Sequence, residues 1–298
     1  MEDHTGAGTP EVSDVRKEET YPIMTINMNG KSQGKGTTDK RRKLIVSTIK
    51  RASASVIFCQ ELPGQFKGGV VGDSYKFVRP EDVYSGQANV AVMWRETDFQ
   101  GKEVNLTDSS LFKEIVESLI IKEQKFDVDV IRATIRSAMV KLTSLRTGAS
   151  FLAVSWHGPW RVNIPPAKSR LEILQDLIRL LRVVCEKEKL SSFIIGGDFN
   201  FDLSKVDSLQ TEYGVTLCTQ DKERGSSFVS FKDTFIFSFP SNTLPMTGKI
   251  TVSSVAPFEL KNESGESALL DHVPVKGDLK VVCTNKKPSI KQDKGKLE

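Results

Sequence analysis

Ten short β-rich apolar runs and only three stretches of helical periodicity predict an α/β fold in which helices pack outside two stacked sheets. A length of 298 residues with 38% apolar content is enough to bury a full core. Pro/Gly/Ser-rich linkers are missing between the runs, so one domain is expected over 21–285. It is flanked by a disordered acidic lead over 1–20 and a basic disordered tail over 286–298.

The strands are read from runs at 23–28, 55–59, 75–79, 89–94, 131–144 (two strands or one bent strand), 150–156, 193–197, 234–239, 249–255 and 279–284. The first helix, 39–53, follows the spacing of Leu44, Ile45 and Ile49. The second, 109–124, follows Leu111, Phe112, Ile115, Val116, Leu119 and Ile120. The third, 167–188, runs through Leu171, Leu174, Leu177, Ile178, Leu181 and Cys185. It starts after Pro165 and Pro166 and carries Arg170, Glu172, Asp176 and Arg179 on its other face.

Composition narrows the function classes. No apolar stretch approaches the roughly 20 residues that span a bilayer, so stable membrane insertion is not expected. The first 20 residues hold Glu2, Asp3, Glu11, Asp14, Glu18 and Glu19 and no apolar core of a signal peptide. Cys59, Cys185, Cys218 and Cys283 lie far apart, which reads as reduced thiols rather than a zinc site. Together these place the chain inside the cell, in nucleus or cytoplasm, and not among secreted proteins. The net charge of +4 is accounted for by residues 276–298, where seven lysines face three acids. That tail reads as a solubilising end or as a polyanion or import-receptor contact. A second basic patch, Lys31, Lys35, Lys40, Arg41, Arg42 and Lys43, follows the first strand in a Gly/Ser/Thr-rich loop. It reads equally as a grip on phosphates and as a solvated helix start.

Chemistry is concentrated where apolar runs end. Phe193-Ile194-Ile195 delivers Gly196-Gly197-Asp198-Phe199-Asn200, and the two glycines let the chain turn while Asp198 and Asn200 project beyond the sheet. The run 23–26 ends in Asn27, the run 56–60 in Glu61 and the run 151–156 in His157. Asp233 precedes Phe235-Ile236-Phe237, and Asp271-His272 precedes Val273-Pro274-Val275. Strand ends on one edge converge in space. Glu61 and Asp271 are oxygen donors suited to Mg2+ or Mn2+, and a histidine beside an aspartate makes an oriented acid/base pair. Two of the three histidines, His157 and His272, fall at these points. Each residue taken singly also fits a turn or a cap.

The order of the pieces resembles the endonuclease/exonuclease/phosphatase superfamily, whose members include deoxyribonuclease I-like nucleases, inositol-polyphosphate 5-phosphatases, sphingomyelinases and deadenylases. The pieces are Ile26-Asn27-Met28-Asn29-Gly30, Phe58-Cys59-Gln60-Glu61, Trp156-His157-Gly158-Pro159, Gly197-Asp198-Phe199-Asn200, Lys232-Asp233-Thr234-Phe235-Ile236 and Leu270-Asp271-His272-Val273-Pro274-Val275, spanning about 22–276. The resemblance implies a four-layer α/β/β/α sandwich of two packed mixed sheets flanked by helices, and hydrolysis of phosphate esters with a divalent metal. It implies Glu61, Asn27 and Asp271 as metal residues, and His157, Asp198, Asn200, Asp233 and His272 as catalytic. His272 would be oriented by Asp233, and the base is assigned jointly to Asp198 and His272. Departures are visible. Lys-Asp-Thr-Phe-Ile replaces the frequent Arg-Ile-Asp-Tyr-Ile, and Gln87-Ala88-Asn89 stands where relatives place a glutamate that supports the His157 position. Arg136, Lys31 and Lys35 are candidate phosphate contacts, Arg136 reading equally as a snorkelling arginine.

A nuclease acting on nucleic acid is the leading expectation, carried by the 31–43 patch and the His157-Gly-Pro spacing. A phosphatase or phosphodiesterase of inositol phosphates or lipid headgroups is the alternative within enzymes. A non-catalytic module that binds a phosphate polymer on the same scaffold is the alternative outside them.

Overall fold

The computed structural model describes residues 16–29, 35–63, 66, 71–72, 74–80, 89–106, 113–115, 117, 137–159, 169–201, 203, 208–218, 233–238, 248–260, 270 and 272–284. Along the chain run β1 (Arg16–Asn27), α1 (Lys35–Ala52), β2 (Val56–Gln60), β3 (Tyr75–Val78), β4 (Ala91–Arg95), β5 (Phe99–Glu103), β6 (Ser137–Ser144) and β7 (Ser150–His157). After them come α2 (Arg170–Lys187), β8 (Phe193–Asp198), α3 (Ser208–Tyr213), β9 (Val215–Leu217), β10 (Asp233–Ser238), β11 (Lys249–Pro257) and β12 (Val275–Thr284).

The strands form two six-stranded mixed sheets, ordered β11-β12-β1-β2-β4-β3 and β5-β6-β7-β8-β10-β9. Read from β11 in the first and from β9 in the second, the two orders match in direction at every step. In each sheet, one parallel pair (β1 with β2, β8 with β7) sits between antiparallel neighbours. The sheets are therefore near-equivalent halves, with β1 and β8 as counterparts.

Period-two alternation in the central strands divides the core into three layers. Ile23, Val56, Phe58, Val92, Val140, Phe151, Ala153, Ile194 and Phe235 point between the sheets. Met24, Ile26, Ile57 and Met93 point outward and are covered by Ile45 and Ile49 of α1. Leu152, Val154, Phe193 and Ile195 point the other way and are covered by Leu174, Leu177, Ile178 and Leu181 of α2. The result is the expected α/β/β/α sandwich. Ridge-forming leucines every three or four residues are what let α2 seat on a flat sheet.

Boundaries moved where local chemistry outweighed the apolar pattern. β1 begins at Arg16 rather than at residue 23, because residues 16–20, placed by their charge in the acidic lead, pair with Thr284 back to Lys280. Glu18 and Lys280 form an ion pair across those strands. Helix α2 takes Ser169 as its N-cap. Ser169 accepts from the Glu172 backbone N–H and Glu172 Oε2 accepts from the Ser169 N–H at 2.6 Å, a capping box that outranks the proline signal upstream. α1 starts at Lys35, four residues ahead of the expected start at 39. Residues 113–115 and 117 are helical within the expected 109–124. Strands β5 and β9 and the short α3 lack a regular apolar pattern and were not expected; β5 buries only Phe99. The four cysteines form no disulfide. No helix among the described residues is long and apolar enough to cross a membrane.

Candidate active site

Topology brings the polar strand ends together. β1, β2, β7 and β8 end at one edge of the sandwich, where Asn27 pairs with Gln60 and His157 with Asp198. β10 runs antiparallel to β8, so its first residue, Asp233, lies directly opposite Asp198, the last residue of β8. His272 lies just before β12, whose Val275 pairs with Thr25 at the same edge. Asn27, His157, Asp198 and Asp233 all fall on the inward-facing parity of their strands, which turns their side chains into the cleft between the sheets.

The two sheets meet through Asn27 and Asp198. Asn27 Nδ2 donates to Asp198 Oδ2 at 3.0 Å and to Glu61 Oε1 at 3.3 Å. Each of the two also closes a tight turn on itself: Asn27 Oδ1 accepts from the Asn29 N–H at 3.0 Å, and Asp198 Oδ1 from the Asn200 N–H at 2.9 Å. Asn29 and Asn200 are both left-handed, with φ of 49° and 56°. Both carbonyls are then held by an arginine from the overlying helix, Arg41 on Asn29 at 3.1 Å and Arg170 on Asn200 at 2.8 Å. The near-twofold relation of the sheets thus extends to the turns that carry the site. Glu61 is also left-handed, φ 48°, a costly backbone for a side chain with a Cβ that turns its carboxylate back over the edge.

Around this junction, His157 Nε2 lies 3.6 Å from Glu61 Oε1 and 3.7 Å from Asp198 Oδ2. His272 Nδ1 is 2.8 Å from Asp233 Oδ2, and its Nε2 is 3.8 Å from Asp198 Oδ2. The imidazole therefore stands between two carboxyl groups, Nδ1 toward Asp233 and Nε2 toward Asp198. Asn200 Nδ2 donates to the Gly158 carbonyl at 2.8 Å, locking the turn after β8 to the one after β7. Glycine is required at 158 and 197: a Cβ would come within 2.5 Å of the Phe199 carbonyl oxygen in the first case and 2.1 Å of the Trp156 carbonyl oxygen in the second.

Negative charge is crowded here. Asp198 is 1% exposed, and burial, then the Asp233 carboxylate, push its carboxyl up to about 6 against the opposing pull of His272, the Asn200 N–H and Asn27. Two ligand groups share Asp198: Glu61, His157 and Asp198, and Asp198, Asp233 and His272. Within each, the donor atoms lie within 4.8 Å of one another. Hard oxygen donors carrying uncompensated buried charge fit a divalent cation.

Of the residues singled out in the sequence, Asn27, Glu61, His157, Asp198, Asn200, Asp233 and His272 stand in this cluster. Asp271, Arg136 and Lys31 lie outside the described residues, as do Gln87 and Ala88; Lys35 opens α1, and its side chain is not described. Asn89 accepts from Arg79 at 3.2 Å. Arg41, expected in a basic patch that could grip phosphate, instead holds the Asn29 carbonyl, and Arg170, expected only on the polar face of a helix, holds that of Asn200; Gln60 and Ser155 carry no role in the sequence pattern. Polar residues embedded in apolar strand runs were the available signal for the last two.

No family model matches the chain, and no curated protein does. Solved structures do match in fold. An endonuclease/exonuclease/phosphatase family protein from Bacteroides thetaiotaomicron superposes with a TM-score of 0.61 at 14% identity, covering 89% of this chain and 96% of its own. The mannosyl-6-phosphatase Bt3783 of the same organism gives 0.58 at 14%, covering 87% and 99%. D. rerio TDP2 complexed with single-strand DNA product gives 0.54 at 13%, covering 87% and 98%.

Proposed function

We propose that this chain, whose fold is that of the endonuclease/exonuclease/phosphatase proteins, is a divalent-metal-dependent phosphodiesterase that hydrolyses nucleic acid. The observation that carries the reading is the meeting of Asn27, Glu61, His157, Asp198, Asp233 and His272 at one edge between two sheets. Nucleic acid as the substrate is favoured by the basic start of α1, where Lys40, Arg42 and Lys43 are exposed, and by the DNA complex of a protein with the same fold. Lys31, Lys35 and Arg136 are assigned to the same phosphate track from the sequence.

Glu61 holds the cation, with Asn27 beside it and Asp271 contributing from the segment before His272. A bound Mg2+ or Mn2+ supplies charge neutralisation and polarisation of the phosphate. Asp233 keeps the proton on His272 Nδ1, so Nε2 is free of hydrogen and, with Asp198, orients a water and takes its proton. Asn200 fixes the turn that carries Asp198. His157, on the far side of Asp198, faces the phosphate and donates to the leaving oxygen or to a developing charge on phosphorus.

The deciding experiment is cleavage of labelled single-stranded DNA, duplex DNA, RNA and soluble inositol and sugar phosphates with Mg2+, beside an EDTA control and the Asp198→Asn variant. Metal-dependent cutting of a polymer, lost in the variant, is expected. Turnover of small phosphate esters alone would replace this reading with the phosphatase one, which the fold of Bt3783 favours. Binding of polymer with no turnover would make the chain a non-catalytic module. Glu61→Ala is expected to need much more Mg2+; wild-type activity at ordinary Mg2+ would remove Glu61 from the metal site.

A further inference from the structure

One layer below the site, the strands change character. Two residues back from Asn27, His157 and Asp198 stand Thr25, Ser155 and Gly196, and Gln60 precedes Glu61. Below them the inter-sheet core is apolar, with Ile23, Phe58, Ala153 and Ile194. Gln60 Nε2, from the first sheet, donates to Ser155 Oγ of the second at 3.0 Å and reaches the Gly196 carbonyl at 3.4 Å. Ser155 Oγ donates back across the gap to the Cys59 carbonyl at 2.8 Å, and Thr25 Oγ1 donates to Gln60 Oε1 at 3.2 Å. Gln60 and Ser155 are both fully buried. The glycine at 196 leaves room for the Phe58 ring, which a Cβ would meet at 2.4 Å.

Burying an amide and a hydroxyl costs free energy that an apolar pair of similar volume avoids. Apolar contacts, however, are non-directional and tolerate small slips of one sheet on the other, whereas hydrogen bonds fix distance and register. The reacting groups are split between the sheets, Asn27 and Glu61 on one and His157, Asp198 and Asp233 on the other, so the gap sets the site geometry.

We propose that Gln60 and Ser155 are positioning residues: a buried polar bolt between the sheets that holds Glu61 at metal-binding distance from Asp198 and His157. Neither touches substrate or ion; each acts through one or two residues of strand. The inference rests on the metal-dependent reading above.

Its test uses the full chain as wild type, Ser155→Ala and Gln60→Met/Ser155→Ala. Three quantities are measured: Mn2+ affinity from the EPR signal of free ion, kcat and KM on the cleaved polymer, and melting temperature. Ser155→Ala is expected to weaken Mn2+ binding about tenfold and lower kcat ten- to a hundredfold, with KM changed less than twofold. The double variant removes the amide that Ser155→Ala strands and leaves only the Thr25 hydroxyl without its acceptor, so its melting temperature recovers part of the way toward wild type while Mn2+ affinity and kcat do not. Should Ser155→Ala prove too unstable, Ser155→Cys, which keeps volume and a weak donor, is expected to show the same split in milder form. Recovery of all three quantities in the double variant, or unchanged Mn2+ affinity and kcat in the single one, would overturn the proposal. If the wild type binds no Mn2+ and cleaves nothing, the functional reading is what fails. Crystals of Ser155→Ala then decide the bolt alone: a lengthened Asn27 Nδ2 to Asp198 Oδ2 distance supports it, and an unchanged 3.0 Å overturns it.

Discussion

Asp198 is buried beside a second carboxylate. Its carboxyl, raised to about 6 from 3.8, binds a proton more tightly in the folded than in the unfolded chain. The metal-free protein therefore loses stability as pH rises from about 4 to about 6, and above that window it bears the full penalty, on the order of 3 kcal/mol. Asp198→Asn removes the charge. Urea unfolding in EDTA should show the variant gaining on wild type across that window and staying ahead at pH 7.5. A wild-type curve parallel to the variant's would refute the unbalanced charge. Gly197 is the complementary case, set by space rather than charge. Gly197→Ala forces a Cβ to within 2.1 Å of a backbone oxygen and is expected to cost about 1–3 kcal/mol, read as a lower urea midpoint. The sequence pointed to both residues through one pentapeptide, yet it could not say that Asp233 lies opposite Asp198. That adjacency depends on β10 running antiparallel to β8.

At the scale of elements, helix α2 does two jobs. Its capping box begins the helix at Ser169, and the next residue, Arg170, holds the Asn200 carbonyl in place over the site. Ser169→Ala is expected to cost about 1 kcal/mol of stability with kcat unchanged, measured by urea unfolding beside turnover. Arg170→Met should instead lower kcat, because it releases the left-handed turn that carries Asp198 and Asn200. The Ser-x-x-Glu spacing was visible in the sequence and outweighed the two prolines as a helix start. Strands β5 and β9 were not legible because edge strands need little burial to pair; Phe99 alone is buried in β5. β1 was read short for the opposite reason. Four of its first five residues are charged and look like solvated chain, but antiparallel pairing with β12 supplies hydrogen bonds that composition does not reveal.

Across the whole molecule, the basic start of α1 lies beside the site, since Arg41 reaches the Asn29 carbonyl while Lys40, Arg42 and Lys43 face solvent. Reversing those three exposed charges to glutamate is expected to raise KM for a nucleic-acid polymer about tenfold and flatten its salt dependence, with KM for a small phosphate ester unchanged. An equal rise for both would place the basic face outside the polymer track. The order of residue types along the chain was enough to settle the architecture: apolar runs of strand length with polar terminal residues, and three stretches of helical periodicity, admit few arrangements other than helices outside stacked sheets. It also pointed to Asn27, Glu61, His157, Asp198, Asn200, Asp233 and His272 as a group, because strand ends on a common edge converge, while Asp271, Arg136 and Lys31 lie outside the described residues. Distances were beyond it. The Asn27 to Asp198 contact, the His272 to Asp233 contact and the polar layer of Gln60 and Ser155 are relations between two sheets, made by residues up to 171 positions apart in sequence. Periodicity fixes which way a side chain faces along its own strand; how far it stands from the opposite sheet is fixed only when both inner faces pack against each other.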